Sequence, residues 1–585
     1  MQSDPETGAN KVWMLNGDGE AAALSNLPGS VRSRVNGYGG GALTATQDGV
    51  FVVSDDQSIL FAHGAGQRSQ TLTTDTAAYG GLVADPLRRR VLAVRETGQG
   101  VIDGRQQLVS VGRDGSLKVL HQGEDFYGAP ALSDDGRHIA WISWQLPDMP
   151  WIQTRLWTAR VSPDGTLEGP RVQPAPRPAS IQQPVFSGQE LWVLSDHDGW
   201  WQPWKLDLQS PASPWEKASV PDRDHANAPW QLAEVHHCPL PGGGWARTHY
   251  HQGRGELWLS GSKHPKPVRV APEFSDFRSL CACGGFLYAI GRSPDHLDAV
   301  LRIDPTNAGI VVVAGGEPAL PGHVVAHPTV FQVPALGQES TPPEGFLYLP
   351  LKPNAEPLAL ILVVHGGPTS AAYPVFNPLI QFWCQRGFAV AEVNYRGSSG
   401  YGRAFRLALA ECWGDIDVQD MARAAEFLKA AGYVNGKSTF IQGRSSGGYT
   451  ALMALSQDQR YEAGASQFGV TDPLQLRRMT HRFESGYLDW LLGNPEDHSQ
   501  RWQERTPRLR TATIASPVIF FQGGQDKVVV PEQTRMMVEA MQQAGLKPEL
   551  HWFPDEGHGI LKQVNQAAML EALYSFYQQR LRTIG

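Results

Sequence analysis

Several features that mark particular classes of protein are scarce or missing in this sequence of 585 residues. Its five cysteines are odd in number and lack a repeated spacing, which argues against a disulfide framework or a structural zinc site. Charged residues make up only 18%, and the net charge of −8 provides no basic surface for nucleic acid. The sequence has no signal-peptide pattern and no apolar run near the roughly 18 residues of a membrane span. We therefore expect a cytoplasmic protein without nucleic-acid or membrane partners, for which a homo-oligomer remains an open option.

Glycine, proline and tryptophan are plentiful, with 62, 43 and 18 residues, as is typical of a β protein rich in turns. Up to residue 334, short apolar runs such as residues 49–53 and 139–143 alternate with turn sequences such as Asp134-Asp135-Gly136. The larger units recur about every 40 to 55 residues, the length of a four-stranded propeller blade. This size favours a propeller over a two-sheet sandwich, which would have to hold about 320 residues in one domain.

The number of blades follows from counting these units. About six complete units lie between residues 38 and 318, and residues 11–24 supply a partial one, which predicts a β-propeller of about seven blades. The first blade is either incomplete or completed by a strand near Val330. We assign residues 1–334 to this propeller domain.

From residue 345 onward, the pattern changes to strands that alternate with helices, which predicts a doubly wound α/β sheet. The predicted strands are residues 358–364, 388–393, 439–442, 518–521 and 550–552, and the predicted helices are residues 415–431, 447–455, 532–544 and 564–581. Residues 335–585 therefore form a second domain, which we interpret as an α/β-hydrolase fold because of the motifs at its strand ends.

The first of these motifs is Gly443-Arg444-Ser445-Ser446-Gly447, which lies between a predicted strand and a predicted helix. Glycines two residues before and after Ser445 allow the sharp turn that raises a nucleophilic hydroxyl above the sheet. If Ser446 were the nucleophile, Arg444 would stand where the turn needs glycine. We therefore predict that Ser445 is the nucleophile.

An acid and a base follow in the chain order that α/β-hydrolases use. Asp526 comes directly after an apolar strand and a glycine turn, whereas Asp555 and Glu556 do not, and we assign them to a solvated loop. His558 lies between two glycines in the loop after the last predicted strand, while His551 lies within that strand. An imidazole held by a carboxylate can accept the proton of a serine hydroxyl. The sequence thus predicts a Ser445, Asp526 and His558 triad.

A third strand end carries His365-Gly366-Gly367-Pro368, a loop of the type that supplies one amide of an oxyanion hole. We choose Gly367 over Gly366 for this amide, and the amide of Ser446 for the second. Such chemistry requires neither a metal nor an organic cofactor, and we predict none.

Beyond these motifs, the sequence resembles the prolyl oligopeptidase family of serine peptidases, and within it the branch that contains acylaminoacyl and dipeptidyl-aminopeptidases. The resemblance depends on the elbow, acid and base motifs and on further segments in both halves, namely residues 37–41 (GYGGG), 147–151 (PDMPW), 195–201 (SDHDGWW), 365–368 (HGGP), 394–402 (NYRGSSGYG) and 480–487 (THRFESGY). Relatives usually have more sequence before the GYGGG motif, which leaves the closure of the first blade open.

What the resemblance implies is a propeller that caps the active site and admits only short or unfolded peptides. The expected reaction is peptide hydrolysis through an acyl-enzyme on Ser445, by release of acylated amino acids, amino acids or dipeptides or by oligopeptide cleavage. Arg396 could bind a substrate carbonyl and Glu484 a free amino terminus, although both could instead pair with other side chains. Two other functions remain open, a carboxylesterase with the same triad and an inactive binding scaffold.

Overall fold

Antiparallel strands occupy the first 315 residues of the chain, and a mixed sheet with helices on both faces follows them. The computed structural model describes residues 1–3, 7–15, 21–24, 27, 29–63, 68–98, 104–209, 214–337, 341–351, 358–434 and 438–584. All statements below concern these residues.

The N-terminal strands form two short pairs and six sheets. The pairs join β1 (Gln2–Ser3) to β2 (Asn10–Lys11) and β3 (Trp13–Leu15) to β4 (Ala21–Ala23). The first three sheets are β5–β8 (Leu43–Thr46, Gly49–Val53, Ile59–Ala62, Gln70–Thr71), β9–β12 (Ala78–Asp85, Arg90–Thr97, Arg105–Gly112, Leu117–Gln122) and β13–β17 (Phe126–Tyr127, Ala131–Leu132, His138–Trp144, Arg155–Val161, Leu167–Gln173). The other three are β18–β21 (Ile181–Ser187, Glu190–Ser195, Gln202–Leu206, Glu216–Lys217), β22–β25 (His237–Pro239, Trp245–His251, Arg254–Gly261, His264–Val270) and β26–β29 (Asp276–Cys283, Phe286–Arg292, Ala299–Ile303, Ile310–Gly315).

Each of the six sheets is one blade of the propeller, with neighbouring strands paired in chain order. In the third blade, both β13 and β14 pair with β15, so that its first strand is divided in two. Six blades are therefore described, and the predicted count of seven is not confirmed. Residues 11–24 contain only β3, β4 and the end of β2, while residues 16–20 of this unit lie outside the described part of the chain.

The alternative that a strand near Val330 completes the first blade is wrong. Val330 lies in β30 (Pro328–Gln332) and pairs with Phe346 of β31 (Glu344–Tyr348), which belongs to the sheet of the C-terminal half. Instead, Val12 and Leu24 pack against the hydrophobic core that the first two blades share. The N-terminal strands thus cover these blades without forming a blade of their own among the described residues.

Local turn chemistry explains why these strands end where they do. Ser133 donates a hydrogen bond to Asp135 at 2.7 Å, and Gly136 follows with a φ of 64°. The related turn at Ser162 contains Gly165 with a φ of 84°. Only glycine adopts such backbone angles without strain, so each Asp-Gly pair reverses the chain between two antiparallel strands.

The C-terminal half contains one sheet of eight strands in the order β30-β31-β33-β32-β34-β35-β36-β37. β31 is antiparallel to both of its neighbours, and the strands from β33 to β37 are parallel. The remaining bounds are β32 (Leu360–Val364), β33 (Ala389–Asn394), β34 (Thr439–Arg444), β35 (Ala463–Gln467), β36 (Val518–Gly523) and β37 (Glu549–Phe553). Because β30 precedes residue 335 and pairs within this sheet, the domain boundary at residues 334 and 335 stays a prediction.

Helices cover both faces of this sheet, as an α/β-hydrolase fold requires. They are α1 (Pro378–Cys384), α2 (Arg403–Leu407), α3 (Ile416–Ala430), α4 (Ser446–Gln457), α5 (Pro473–Met479), α6 (Tyr487–Leu492), α7 (Ser499–Glu504), α8 (Pro531–Gln543) and α9 (Gln563–Ile584). Buried residues of α3, α4 and α8 share one hydrophobic core with the sheet, and those of α1 and α9 share another. The predicted propeller and α/β-hydrolase architecture is thus confirmed apart from the number of blades.

A buried ion pair joins the two domains. Arg406 of α2 is fully buried and contacts the equally buried carboxylate of Asp196, which follows β19 in the propeller. The guanidinium also lies 3.6 Å from the ring centroid of Trp201. Arg403, one turn earlier, donates a second bond to Asp196 at 2.8 Å. These contacts hold the propeller against the C-terminal domain.

Two features are absent from the described residues, a membrane-spanning helix and a metal-binding cluster. No helix there combines the length and apolar character needed to cross a bilayer. No group of three or more His, Cys, Asp or Glu side chains in those residues could hold a metal ion.

Candidate active site

Ser445 occupies the sharp turn between β34 and α4. Its φ of 53° and ψ of −122° are strained for a residue with a side chain. A Cβ atom on Gly443 would meet the backbone of Gly447 at 2.3 Å, and one on Gly447 would meet the carbonyl oxygen of Val364 at 2.2 Å. Both glycines are therefore needed for the close approach of helix and strand that holds Ser445 above the sheet.

The structure brings the three predicted triad residues into one hydrogen-bonded row. Nε2 of His558 lies 3.0 Å from Oγ of Ser445, and Nδ1 of His558 lies 2.8 Å from Oδ2 of Asp526. These are ordinary hydrogen-bond distances. If Nδ1 carries the ring proton and donates a hydrogen bond to Asp526, Nε2 is free to accept the proton of Ser445.

Backbone amides hold the carboxylate of Asp526 in place. Its Oδ1 atom accepts hydrogen bonds from the amides of Val528 and Val529 at 2.9 and 3.0 Å, and the side chain is fully buried. The ring of Phe468 packs edge-on against the imidazole of His558, with 4.9 Å between the ring centroids. Both contacts restrict the orientation of the imidazole.

The other acidic and imidazole side chains of this region have separate partners. Asp555 pairs with Lys562, and Glu556 accepts hydrogen bonds from the amides of Leu561 and Lys562. His551 stacks on Phe521 at 5.2 Å between ring centroids. None of the three contacts Ser445.

Gly367 and Ser446 line the same cavity as Ser445 and His558, as an oxyanion hole requires. Gly367 has a φ of 125°, a region that favours glycine. The neighbouring His365 is held by Oγ of Ser398, 2.7 Å from its Nε2, and by stacking on Tyr395 at 4.3 Å. Burial lowers the pKa of His365 to about 4, so the ring is neutral at physiological pH and serves to position this loop.

The cavity in front of Ser445 has a volume of about 260 Å³ and lies between the two domains. Its apolar wall comes mainly from the catalytic domain and includes Trp413, Val470 and Leu488. Tyr38 and Trp230 of the propeller close the opposite side. An apolar space of this size, with few polar groups, is suited to a small part of a substrate.

Glu484 places its carboxylate at this cavity. It accepts a hydrogen bond from the hydroxyl of Tyr38 at 2.8 Å and one from Thr480 at 3.2 Å. Burial, with the nearby charge of Glu484, raises the pKa of Tyr38 well above its usual value. Tyr38 therefore remains a hydrogen-bond donor to Glu484 at physiological pH.

Arg396 does not line the cavity, in contrast to Glu484. Its guanidinium makes a two-pronged contact with Asp420 through Nε at 2.9 Å and Nη2 at 2.7 Å. The backbone amide of Arg396 also donates to Asp420, at 2.8 Å. These contacts favour the alternative in which Arg396 pairs with another side chain and shapes its loop.

Comparison with known families explains this combination of domains. Residues 374–583 match the prolyl oligopeptidase family. This match lies within the C-terminal domain. A curated relative, dipeptidyl peptidase family member 6 of Caenorhabditis elegans, is 29% identical over 234 residues, which cover 39% of this chain. The match spans only 32% of that relative, and curated relatives are in general matched over about a third of their length.

Solved structures match nearly the whole chain. A puromycin-hydrolysing peptidase of Mycobacterium tuberculosis has a TM-score of 0.91 and 29% identity, with 99% of this chain and 92% of that chain covered. A puromycin hydrolase complexed with PGG has a TM-score of 0.91 and 27% identity over the same shares of both chains. The similarity therefore includes the propeller as well as the catalytic domain.

Sequence reasoning missed cavity residues in both domains, namely Tyr38 and Trp230 of the propeller and Tyr487 of α6. Tyr38 lies in the GYGGG segment and Tyr487 in the THRFESGY segment, so their motifs were noted although their roles were not. Trp230 lies in no such segment, and its indole donates to the carbonyl of Thr369 at 2.7 Å. A tryptophan in a loop gives no sign of which distant surface it touches.

Proposed function

We propose that this protein is a serine peptidase that hydrolyses short peptides by means of Ser445, His558 and Asp526. The observation that carries the proposal is the hydrogen-bonded row from Asp526 through His558 to Ser445. The match of residues 374–583 to a peptidase family and the similarity to a puromycin hydrolase solved with PGG support a peptide as the substrate. The small cavity between the domains supports a short one.

In the proposed mechanism, Oγ of Ser445 attacks the scissile carbonyl while Nε2 of His558 accepts its proton. The buried carboxylate of Asp526 stabilises the imidazolium that forms. The amides of Gly367 and Ser446 donate to the oxyanion, and each such donor lowers the barrier by about 3 to 4 kcal/mol in comparable enzymes. His558 then protonates the leaving amine, and water hydrolyses the acyl-enzyme by the same route.

Covalent labelling tests the proposal directly. A fluorophosphonate should react with the native protein at one site per chain, and mass spectrometry of the digested product should locate the adduct on Ser445. Relative kcat/KM values on aminoacyl amides and on a p-nitrophenyl ester then distinguish a peptidase from a carboxylesterase. An unlabelled Ser445, or an adduct at another residue, contradicts the proposal.

We further propose that Glu484 binds the free amino terminus of the substrate. Its carboxylate lies in the wall of the cavity that contains Ser445, and Tyr38 and Thr480 orient it. An ammonium group can bind such a carboxylate with a charge-assisted hydrogen bond, whereas an acetylated terminus cannot.

We expect Glu484→Gln to lower kcat/KM for peptides with a free amino terminus about tenfold, the size of one charge-assisted contact. Values for the acetylated counterparts should change much less. Tyr38→Phe is the matched variant, because it keeps the carboxylate and removes only one of its donors. An unchanged preference between free and acetylated peptides in Glu484→Gln would refute this role.

A further inference from the structure

A second cavity lies on the other side of Ser445 from the one described above. It has a volume of about 180 Å³, and its lining includes Gly366, Gly443, Arg444 and Gln467. A neighbouring cavity of about 260 Å³ shares His365, Asn377 and Glu392 with it. The two form one cleft along the carboxyl ends of β32, β33 and β34, and neither is used in the mechanism above.

This cleft and the cavity in front of Ser445 lie on opposite faces of the sheet, which keeps them separate. Trp413, Val470 and Leu488 of the first cavity belong to the core that contains α3, α4 and α8. Gln442 points to the opposite face, where its side chain accepts a hydrogen bond from Tyr577 of α9. Since side chains alternate along a strand, Arg444 lies on that same opposite face. Ser445, at the end of β34, therefore stands between the two cavities.

Arg444 of the second cavity is linked through two neighbouring residues to the catalytic histidine, which itself lines the first cavity. Nε of Arg444 donates to the side chain of Gln467 at 3.0 Å. The next residue, Phe468, packs against the ring of His558. In acyl transfer, the leaving amine must be close to the imidazole that protonates it. From the imidazole, the segment of Phe468 and Gln467 leads to Arg444.

We propose that this cleft is the leaving-group subsite and that Arg444 binds the terminal carboxylate of a short leaving peptide. The inference rests on the proposed peptidase function. It implies a preference for peptides that end in a free carboxylate a residue or two beyond the scissile bond.

The side chain of Arg444 is available for such a contact. Arg444 is solvent-exposed, and within the part of the chain that the structure describes no carboxylate lies at ion-pair distance from its guanidinium; the charge of Glu392 acts on it from farther away. Its contact with Gln467 uses Nε and orients the group while the terminal amino groups remain for a ligand. A guanidinium with two parallel donors is well suited to a carboxylate.

The other charged groups of the cleft are compatible with an anionic ligand. Burial raises the pKa of Glu392 to about 7, so its carboxyl is substantially protonated near neutral pH. His365 is neutral there, because burial lowers its pKa to about 4. Arg292 of the propeller adds a second cation to the rim, although it also contacts Asp276 at 3.1 Å.

The test compares pairs of tripeptides that are identical except for a free or an amidated carboxyl terminus. We expect the native protein to favour the free acid, and Arg444→Gln to lower its kcat/KM for the acid about tenfold, mainly through KM. Arg444→Lys should restore part of the preference. Arg478→Gln is the matched control, because Arg478 is exposed in the same domain and lines neither cavity.

The rate of fluorophosphonate labelling checks that each variant retains an intact nucleophile, since the probe has no carboxylate. Equal rates on acid and amide in the native protein would overturn the inference, as would an undiminished preference in Arg444→Gln. Neither result would affect the proposed function, because both require hydrolysis. A native protein that neither takes the label nor cleaves either peptide would instead contradict the peptidase proposal itself.

Discussion

Ser445→Ala should lower kcat for peptide hydrolysis about a millionfold, whereas Asp526→Asn should lower it about ten-thousandfold. The first change removes the atom that attacks. The second keeps the shape of the row but removes the negative charge that accepts the hydrogen bond from Nδ1 and stabilises the imidazolium, so that Nε2 of His558 is no longer free to act as a base. Stopped-flow or endpoint hydrolysis of one good peptide substrate measures both variants.

Fluorophosphonate labelling should follow the same order, with no adduct in Ser445→Ala and slow labelling in Asp526→Asn. Ser499→Ala is the matched serine control, because Ser499 is exposed at the start of α7. The Ser445→Ala and Asp526→Asn variants should keep the native free energy of unfolding within about 1 kcal/mol, since neither change removes buried apolar volume. Equal residual activity in the serine variant and the native protein would exclude Ser445 as the nucleophile.

The triad residues could be predicted because each one follows a strand end and local sequence marks that end. Gly443 and Gly447 identify the turn at Ser445, and the glycine turn before Asp526 identifies the acid. Parallel strands place their carboxyl ends at one edge of the sheet, so residues more than a hundred positions apart become neighbours. The prediction of His558 depended only on its place in the chain order and on a loop able to reach that edge.

The blade count could not be predicted in the same way. Residues 11–24 have the composition of strands, but whether they become a blade depends on pairing with distant residues. Val330 shows the difficulty, because its segment pairs with Phe346 in the catalytic sheet and not with the propeller. Local alternation predicts that a strand exists and leaves its partner undetermined.

Substrate-binding roles depend on partners that a sequence does not reveal. Arg396 and Glu484 were equivalent in the sequence, each a charge within a motif. In the structure, the guanidinium of Arg396 is hydrogen-bonded to Asp420. Glu484 instead lines the cavity and accepts a hydrogen bond from Tyr38. In the sequence, Arg444 served only to exclude Ser446 as the nucleophile. Its position in the lining of the second cavity indicates a role in substrate binding only once the structure is known.

Asp196→Ala should destabilise the contact between the two domains by about 3 to 5 kcal/mol, because it removes the carboxylate that contacts the buried guanidinium of Arg406. Asp196 is fully buried and also accepts a hydrogen bond from the amide of Ser180 at 2.7 Å. The same change loosens the contact between the domains, so Tyr38 and Trp230 should no longer be held against the cavity. We therefore expect kcat/KM for peptides to fall while Ser445 still takes the fluorophosphonate label.

Urea unfolding followed by tryptophan fluorescence measures the stability change, with the earliest transition as the quantity compared, since two domains need not unfold together. Asp198→Ala is the matched control: it lies two residues away, and its side chain is 51% exposed and pairs with Lys217 at the surface. Exposed pairs of this kind contribute about 0 to 1 kcal/mol. If Asp196→Ala unfolds at the same urea concentration as Asp198→Ala, the buried ion pair does not fix the propeller on the catalytic domain, and other contacts such as that of Trp230 with Thr369 must do so.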